Sequence, residues 1–261
     1  MAFNFTKISI YPAVGGPDKS YKDAKGNMAD PTREGRYVIH SIDRYISNLY
    51  GKDWSGIKWG TPMRLKNDIV QINLSGHWVD LSKYDKISHW YYGATTIAQY
   101  EALIKKTVEA YHKKLYGVEK VPDTWIFNDF GHKSIRYFKD LNSNFLFDQG
   151  KENLMSDLLH TTPVDEANIK QGKPVLLSTS HGCIHVRPDD LDEIIQNGFV
   201  KKGQVICIHR YTELIYLLTF TSEIGKPPYE LHFFPGCKTK DPHNLQHTNK
   251  GIMVIYAVTQ L

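Results

Sequence analysis

The spacing of apolar residues predicts helices in a small part of the chain. Between residues 97 and 116, apolar side chains recur every three or four positions, and Lys and Glu fill many of the positions between them. This period is that of an amphipathic helix, and the segment is the clearest helix in the sequence. Residues 188–197 predict a second helix, because a proline and two aspartates open it and Gly198 is placed to end it. Residues 153–159 predict a third, short helix.

Over most of the chain, short apolar runs or alternating apolar and polar residues stand between Gly and Pro residues, which is typical of β-strands. Residues 69–81 predict a hairpin with its turn near Ser75 and Gly76. Residues 12–36 are rich in Gly, Pro, Asp and Lys and predict a long loop. A strand–turn–strand unit is predicted at residues 175–187, and single strands are predicted at residues 5–11, 37–42, 124–130, 133–138, 205–209, 230–234 and 252–258.

These elements predict a mainly β domain of the α+β class, with a few helices and a partly helical insertion at about residues 50–125. Composition agrees with this prediction. The 261 residues are 41% hydrophobic and 23% charged, as in folded globular proteins, and the 12% aromatic content favours strands.

Charge and composition argue against several classes of protein. The net charge of +4 is spread along the chain without a dense Lys/Arg block, so no nucleic-acid partner is expected. No run reaches the roughly 18 apolar residues of a membrane span. The three cysteines are too few for a disulfide framework in a chain of this length. The first residues lack a basic stretch followed by an apolar one, so no secretory signal is expected.

The segment 175–186 (VLLSTSHGCIHV) carries the candidate chemistry. An apolar run leads into small polar residues, then Gly182, then Cys183. Gly182 permits a positive φ and a close approach to the main chain. The alternation after the cysteine predicts that Ile184 points into a core, while Cys183 and His185 point to the opposite face. Such a turn presents a thiol beside backbone N–H groups, as an acyl-transfer nucleophile requires.

His160 is the candidate base for this thiol, because it ends a short apolar run and precedes a Thr-Thr-Pro segment that can fix its position. Lowering the thiol pKa by about two units gains only about threefold in rate, since nucleophilicity falls with the pKa. A positioned proton carrier contributes about 10²–10⁴-fold. We therefore expect His160 to act mainly as a proton carrier.

Two alternatives to a catalytic Cys183 remain open at this stage. One is a buried cysteine that acts as a small hydrophobic residue. The other is a zinc site; we expect no metal, because zinc ligands usually come from paired turns rather than from successive positions of one strand. The possible ligands of such a zinc site are His160, His181, Cys183 and His185. Of the other two cysteines, Cys207 is expected to be a core residue and Cys237 an unreactive loop thiol.

The cysteine segment resembles the motif of the L,D-transpeptidase family, the YkuD-type catalytic domain. That motif is an upstream His followed by Ser/Thr-x-Gly-Cys and Ile or Val. Residues 180–184 (SHGCI) match its core without a gap, and residues 160–162 (HTT) are similar to the family's His-Gly-Thr. Weaker matches stand in the family's order: residues 30–39 resemble its Thr-Pro-x-Gly-x-Phe/Tyr segment, residues 135–138 its strand before the His, and residues 200–208 its closing V-x-x-G-x-x-V-x-I strand.

The resemblance implies a YkuD-like β-sandwich. Residues 1–212 would form the catalytic domain, interrupted by the insertion at about 50–125, and residues 213–261 a C-terminal β extension packed on it. The resemblance also implies L,D-transpeptidase or L,D-carboxypeptidase activity without a cofactor. Cys183 would attack the diaminopimelate carbonyl of a peptidoglycan stem tetrapeptide and expel D-Ala. The acyl group would then pass to a second diaminopimelate amine, to a free D-amino acid or to water.

The same resemblance implies roles for individual residues. His160 would be the general base and acid, with the carbonyl of Thr161 or a neighbour orienting its ring. The N–H groups of Gly182 and Cys183 would hold the oxyanion, and His181 would shape the pocket. The residues expected to contact substrate are Ser180, Thr161, His185, Arg187 and Arg136.

Three features depart from the family pattern. His185 stands two places after the cysteine, where the family usually has Arg or Asn, so Arg187 is expected to make that contact instead. Thr161 replaces the Gly after the His, and the spacing from His160 to Cys183 is longer than is common. These departures predict an outlying member with an altered choice of acceptor.

The expected partners are peptidoglycan stem peptides, with an immunity protein or a secretion-system protein. Because this substrate lies outside the inner membrane, the expected site of action is the periplasm or cell wall. We expect delivery by a contact-dependent, type VI-like route as an antibacterial effector; a cytoplasmic protein is the alternative. Two other function classes remain open: a wall-binding or secretion module without catalysis, and a Cys–His peptidase or acyltransferase with another substrate.

Overall fold

The computed structural model describes residues 1–45, 56–84, 94–215, 219–241 and 244–261. The chain forms two compact units. The first unit combines Met1–Asp43, Ser134–Thr161 and Pro174–Leu261. The second unit combines Arg44–Lys133 and Thr162–Lys173.

Strands and helices are numbered in chain order. The first unit holds β1 (Phe3–Val14), β2 (Tyr21–Lys22), β3 (Met28–Ala29), β4 (Gly35–Asp43), β8 (Ser134–Phe138), β9 (Leu159–His160), β10 (Ile184–Val186), α3 (Pro188–Gln196), β11 (Val205–Ile208), β12 (Thr219–Ser222), β13 (Tyr229–Asp241) and β14 (Asn244–Gln260). The second unit holds β5 (Met63–Lys66), β6 (Ile69–Leu74), β7 (His77–Asp80), a 3₁₀ turn (Leu81–Lys83), α1 (Ile97–Tyr116) and α2 (Pro163–Lys170).

One nine-stranded sheet organises the first unit, in the order β10-β9-β8-β4-β11-β13-β14-β1-β12. The sheet closes on itself, because the end of β1 also pairs with β10, with Ala13 opposite Val186. The edge strand β12 pairs with the start of β1 and stays outside this ring. The described residues therefore confirm a mainly β protein with a few helices, while the YkuD-like sandwich stays a prediction.

The inner face of this sheet carries the main core of the first unit. Alternate residues of the central strands point inward, and Ile39, Ile206 and Leu231 are fully buried there. Leu191 and Ile194, on one face of α3, join the same cluster. Full burial of each such side chain contributes about 1.5–3 kcal/mol. The core thus fixes one face of β9 and β10, the two short strands that carry the site described below.

The second unit packs α1 against a three-stranded sheet in the order β5-β6-β7. A capping box starts α1, because Thr96 and Gln99 each bind the backbone N–H of the other. Gly117 ends the helix at a φ of +77°. Buried residues of the helix join Trp125 in the core of this unit.

Several predictions from the sequence are confirmed. Helix α1 has the predicted bounds, and α3 lies within one residue of them. Strands β6 and β7 form the predicted hairpin around Ser75 and Gly76, both of which have positive φ. The strands predicted at 5–11, 37–42, 133–138, 205–209, 230–234 and 252–258 are all present, and several run longer than predicted.

Other predictions are wrong. Residues 153–159 form no helix: Met155 donates its N–H to the Tyr137 carbonyl at 2.9 Å and so lies along the sheet. Residues 124–130 form no strand beyond a single bridge at Thr124, although they bury Trp125 and Phe127. The first half of 175–187 is irregular, and α2 was not predicted. The predicted loop 12–36 holds the end of β1, β2, β3 and the start of β4.

The segments named in the expected domain division have the following places in the fold. Residues 213–261 supply β12, β13 and β14, and β13 lies between β11 and β14 within the main sheet. The insertion expected at about 50–125 lies in the second unit, which spans Arg44–Lys133 and also takes in α2. Residues 50–55 and 85–93 of that insertion lie outside the described part. None of the described helices is both long and apolar enough to cross a membrane.

Candidate active site

Strands β9 and β10 bring the two halves of the sequence motif together. They pair in parallel, with Leu159 opposite Ile184 and His160 opposite His185. Leu159 and Ile184 are fully buried in the main core, as the alternation predicts. The rings of His160 and His185 therefore share the other face and meet edge to face, with centroids 4.8 Å apart.

The turn before β10 is held by its own hydrogen bonds. The Ser180 hydroxyl donates to the Cys183 carbonyl at 2.5 Å and accepts from the Gly182 N–H at 3.0 Å. Gly182 has a φ of +138°, which L side chains rarely adopt. Ser180 also donates its N–H to the Gly15 carbonyl at 3.0 Å, which ties the turn to the end of β1. The hydrogen bonds of Ser180 and the positive φ of Gly182 thus set the direction in which Cys183 points.

The Cys183 thiol lies beside β9. The Leu158 N–H donates to the Cys183 sulfur at 3.4 Å, and the Ile184 N–H donates to the Leu158 carbonyl at 2.7 Å. Cys183 stands two positions before His185, so the thiol and the His185 ring share a sheet face, which is also the face of the His160 ring. Burial raises the pKa of Cys183 to about 12, although the Leu158 N–H acts to lower it.

His160 is almost fully buried and its tautomer is fixed. Its Nδ1 lies 2.5 Å from the Thr161 carbonyl oxygen, which can only accept, so Nδ1 carries the proton. In the neutral ring Nε2 is then the basic atom. Burial, together with the neighbouring His185, lowers the pKa of His160 to about 3, although the Thr161 hydrogen bond acts to raise it. The predicted contact of His160 with the Thr161 carbonyl is therefore present.

The other predicted pocket residues lie close to the motif but face different groups. The exposed His181 ring directs Nε2 to the Asp23 carboxylate at 3.0 Å, away from the sheet. His185 directs Nδ1 to the Ser178 carbonyl at 3.0 Å. Burial lowers the pKa of His185, so this ring is neutral near pH 7.

The two predicted arginine contacts are placed differently from each other. Arg187 is buried at the N-cap position of α3, with Nε 3.9 Å from Asp190. Arg136 lies on β8, two positions beyond Ser134, which is the partner of His160 across the sheet. The period of two places Arg136 on the same sheet face as His160. Arg136 thus lies on the sheet face that carries His160, whereas Arg187 lies at the start of α3.

Sequence reasoning missed Asp157. Its carboxylate lies beside Gly182, where an added Cβ would be 3.0 Å from Oδ1, and its side chain is mostly buried. Burial raises the pKa of Asp157, while the Arg33 guanidinium, 3.9 Å away, acts to lower it. The negative charge acts to raise the pKa of Cys183. The sequence carried one signal that could have indicated Asp157: this acidic residue stands directly before the two leucines that precede His160.

A cluster of possible metal ligands lies elsewhere in the first unit. Ligand atoms of Cys207, Glu230 and His232 lie within 4.8 Å of one another. The Arg36 guanidinium already fills this cluster: it donates to both Glu230 oxygens, at 2.6 and 2.7 Å, and to the Cys207 sulfur at 3.3 Å. Burial acts to raise the pKa of Glu230, but His232 and Arg36 hold it below its usual value. The cluster is therefore an ion-pair network.

Cys207 was expected in the core and is instead half-buried on the outer face, between the inward-pointing Ile206 and Ile208. Cys237 is buried in the smaller cluster around Phe5, where a loop thiol was expected. Among the described residues no comparable ligand cluster forms around Cys183, so nothing in the geometry favours the zinc alternative.

Comparison of the chain with protein-family models, with characterised proteins and with solved structures gave no match. The likeness of the cysteine motif to L,D-transpeptidases therefore stays a prediction, and function is inferred from the geometry around Cys183 and His160.

Proposed function

We propose that this protein is a cysteine acyltransferase that acts on peptidoglycan stem tetrapeptides, as an L,D-transpeptidase, an L,D-carboxypeptidase or both. One observation carries the proposal: the parallel pairing of β9 and β10 sets Cys183 beside a histidine whose Nδ1–H is fixed by a main-chain carbonyl. A nucleophile, a base and a group that orients the base are the parts that covalent acyl transfer requires. The match of residues 180–184 to the family motif supplies the substrate class.

The resting site holds a neutral thiol and a neutral imidazole, because burial raises the pKa of Cys183 and lowers that of His160. Proton transfer therefore accompanies attack. In the proposed first step the Cys183 sulfur bonds to the substrate carbonyl carbon, and His160 Nε2 takes the thiol proton. A base placed in this way contributes about 10²–10⁴-fold to the rate.

The oxyanion of this step needs hydrogen-bond donors. The Gly182 N–H, expected to be one of them, donates to the Ser180 hydroxyl. The Cys183 N–H is the donor that the proposal assigns to the oxyanion. One such donor contributes about 10²–10³-fold.

The intermediate then collapses and the bond to D-Ala breaks. The leaving nitrogen takes the proton from His160, which leaves a thioester on Cys183 and a neutral imidazole. In the second step an amine or water attacks the thioester and gives a proton to His160. The sulfur leaves and recovers that proton. An amine acceptor gives transfer, and water gives a shortened stem peptide.

Mass spectrometry of a disaccharide-tetrapeptide, incubated with the wild type and with Cys183→Ala, tests the proposal. We expect the wild type to release D-Ala or to form a cross-linked dimer, and the variant to do neither. His160→Gln should lose at least about 100-fold in rate, while alkylation of Cys183 by iodoacetamide at alkaline pH, which does not need the histidine, reports whether the thiol is still accessible.

Three outcomes would contradict the proposal. If the wild type leaves the tetrapeptide unchanged, with or without an added D-amino acid acceptor, this reaction is not its function. If the wild type binds the peptide without turnover, the chain is a wall-binding module. Equal activity of Cys183→Ala and the wild type would remove Cys183 from the reaction.

A further inference from the structure

A cavity lies against the turn that carries the candidate nucleophile. Its volume is about 490 Å³, within the range of sites that hold small ligands. Two lysines line it, together with residues at the end of β1 and a residue of the segment that leads to Cys183. Residues on its walls include Gly16, Asp18, Thr179, Tyr211, Lys238 and Lys250.

The two lysines oppose each other across a sheet. Lys238 on β13 and Lys250 on β14 are direct partners in the antiparallel pair. Like charges in that position destabilise a sheet. Among the described residues no carboxylate lies within 4.0 Å of either ammonium group. Asp18, on the cavity wall, is exposed and supplies one negative charge against the two positive charges of the lysines.

The backbone just before Lys238 is irregular. The pairing of β13 with β14 shifts register between Phe234 and Lys238, as at a β-bulge. A bulge redirects the side chains that follow it, and bulges are frequent beside active sites. Gly236 lies in this irregular segment, where an added Cβ would meet the Tyr211 carbonyl oxygen at 1.8 Å. Tyr211 also donates its hydroxyl to the Gly16 carbonyl at 2.9 Å. Tyr211 therefore contacts the backbone at both Gly236 and Gly16, and all three residues line the cavity.

The cavity and the nucleophile share one stretch of backbone. Thr179 lines the cavity, and the next residue, Ser180, binds the Cys183 carbonyl through its hydroxyl. Gly16, on the same wall, packs so tightly on the turn that an added Cβ would lie 3.2 Å from the Gly182 Cα. The cavity therefore adjoins the backbone turn that carries Cys183.

We propose that the Lys238–Lys250 cavity binds free carboxylate groups of the stem peptide and makes the enzyme selective for peptides in which those groups are not amidated. This inference rests on the proposed function, since it names the part of that substrate the cavity holds. An anion between the two ammonium groups removes their mutual repulsion and gains two charge-assisted contacts. Amidation removes the charge while it keeps the size of the group.

Three synthetic tetrapeptides separate the possible sources of the carboxylate: one fully acidic, one amidated at D-glutamate and one amidated at diaminopimelate. We expect amidation at one of the two positions to lower the wild-type kcat/KM by about tenfold, mainly through KM. In the double variant Lys238→Met with Lys250→Met, the three peptides should react at similar rates. The wild-type preference should also shrink as salt is raised.

The matched control is Lys201→Met with Lys202→Met, which removes the same charge from two exposed lysines in the turn before β11. It should keep the wild-type preference among the peptides. Equal treatment of all three peptides by the wild type, with D-Ala released from each, would overturn the inference and leave the proposed function standing. So would a Lys238/Lys250 variant that keeps the preference.

A binding experiment decides the inference if turnover fails. Calorimetry with the Cys183→Ala variant measures the affinity for the acidic and the amidated peptides without reaction. Tighter binding of the acidic peptide, lost when Lys238 and Lys250 are also replaced, supports the cavity assignment. Equal affinity for all three peptides overturns it. Absence of D-Ala release from every peptide by the wild type would instead refute the proposed function.

Discussion

At the scale of single residues, Cys183 is surrounded by groups with opposite effects on its charge. Burial and the Asp157 carboxylate favour the neutral thiol, while the Leu158 N–H favours the thiolate. His160 is buried and neutral, so it does not form a resting ion pair with the cysteine. This differs from a cysteine activated by ionisation, whose thiolate is present at neutral pH. The chemistry then depends on proton transfer during attack.

This environment predicts the pH dependence of Cys183 alkylation by iodoacetamide. With a pKa of about 12, the thiolate fraction rises about tenfold per pH unit at neutral and mildly alkaline pH. We therefore expect the alkylation rate to rise about 100-fold between pH 7 and pH 9, without a plateau. Peptide mass spectrometry is the measurement, because it separates Cys183 from Cys207 and Cys237. A rate that is flat across this range would show a resting thiolate instead.

Asp157→Asn removes the nearby negative charge and should speed this alkylation. Because a carboxylate beside a thiol disfavours the thiolate, its loss lowers the pKa of Cys183 and raises the rate by about twofold to tenfold. The control is Asp189→Asn, which removes an exposed carboxylate on α3. An unchanged rate in Asp157→Asn would show that this carboxylate exerts no influence on the thiol.

At the scale of elements, the site depends on segments too short to show a period. Strand β9 has two residues and β10 has three, so neither carries a hydrophobic pattern of its own. The residue types of the motif identified Cys183 and His160, but not the parallel pairing that joins them. Helix α1 and the β6–β7 hairpin were predictable because their period, caps and turn residues are local. The strand prediction at 124–130 failed because its apolar residues fill a core without pairing.

The contact between the end of β1 and the Cys183 turn predicts the effect of Gly16→Ala. An added Cβ would lie 1.9 Å from the Asp30 carbonyl oxygen, a main-chain atom that no rotamer change can move. The two segments must separate, and we expect the free energy of unfolding to fall by about 1–3 kcal/mol. The shift reaches the turn through Gly182, so acylation of Cys183 by a carbapenem should slow by at least about tenfold. Urea unfolding and stopped-flow mass spectrometry measure the two effects.

Gly150→Ala is the comparison variant for this test. Gly150 also lies in the first unit, and no atom lies within 4 Å of an added Cβ there. Its substitution should cost about 1–2 kcal/mol through its φ of +87° and should leave the acylation rate unchanged. If Gly16→Ala acylates as fast as Gly150→Ala, the end of β1 does not position the nucleophile.

At the scale of the whole molecule, distant parts of the chain complete the site's sheet. Residues at the two ends of the sequence form β1 and β14, which pair along most of the length of β1. The closing contact of β1 with β10 then joins the N-terminal strand to the motif itself. Pairing between residues so far apart leaves no pattern in the local sequence. For this reason residues 213–261 were expected to form an extension, and their place within the sheet was not predicted. His160 and His185 are both buried in this sheet, and burial disfavours the charged form of each ring.

Buried neutral histidines predict a loss of stability in mild acid. The His160 pKa is about 3 in the folded protein and about 6.5 in an unfolded chain, so below pH 6.5 the unfolded state binds a proton that the folded state does not. Stability therefore falls as the pH drops from 6.5 toward 3. Between pH 7.5 and pH 5.5 the contribution of His160 alone is about 1.4 kcal/mol. Urea unfolding at the two pH values measures it.

The His160→Gln variant isolates this contribution, because glutamine keeps hydrogen-bonding groups at the position and does not titrate. The comparison is between the changes with pH, so any constant cost of the substitution cancels. We expect the free energy of unfolding to fall between pH 7.5 and pH 5.5 by about 1.4 kcal/mol less in the variant than in the wild type. The remaining fall reports the other histidines whose pKa burial lowers, His185 among them. Equal falls in both proteins would mean that the pKa of His160 is the same in the folded and the unfolded protein, so burial would not be what keeps this ring neutral in mild acid.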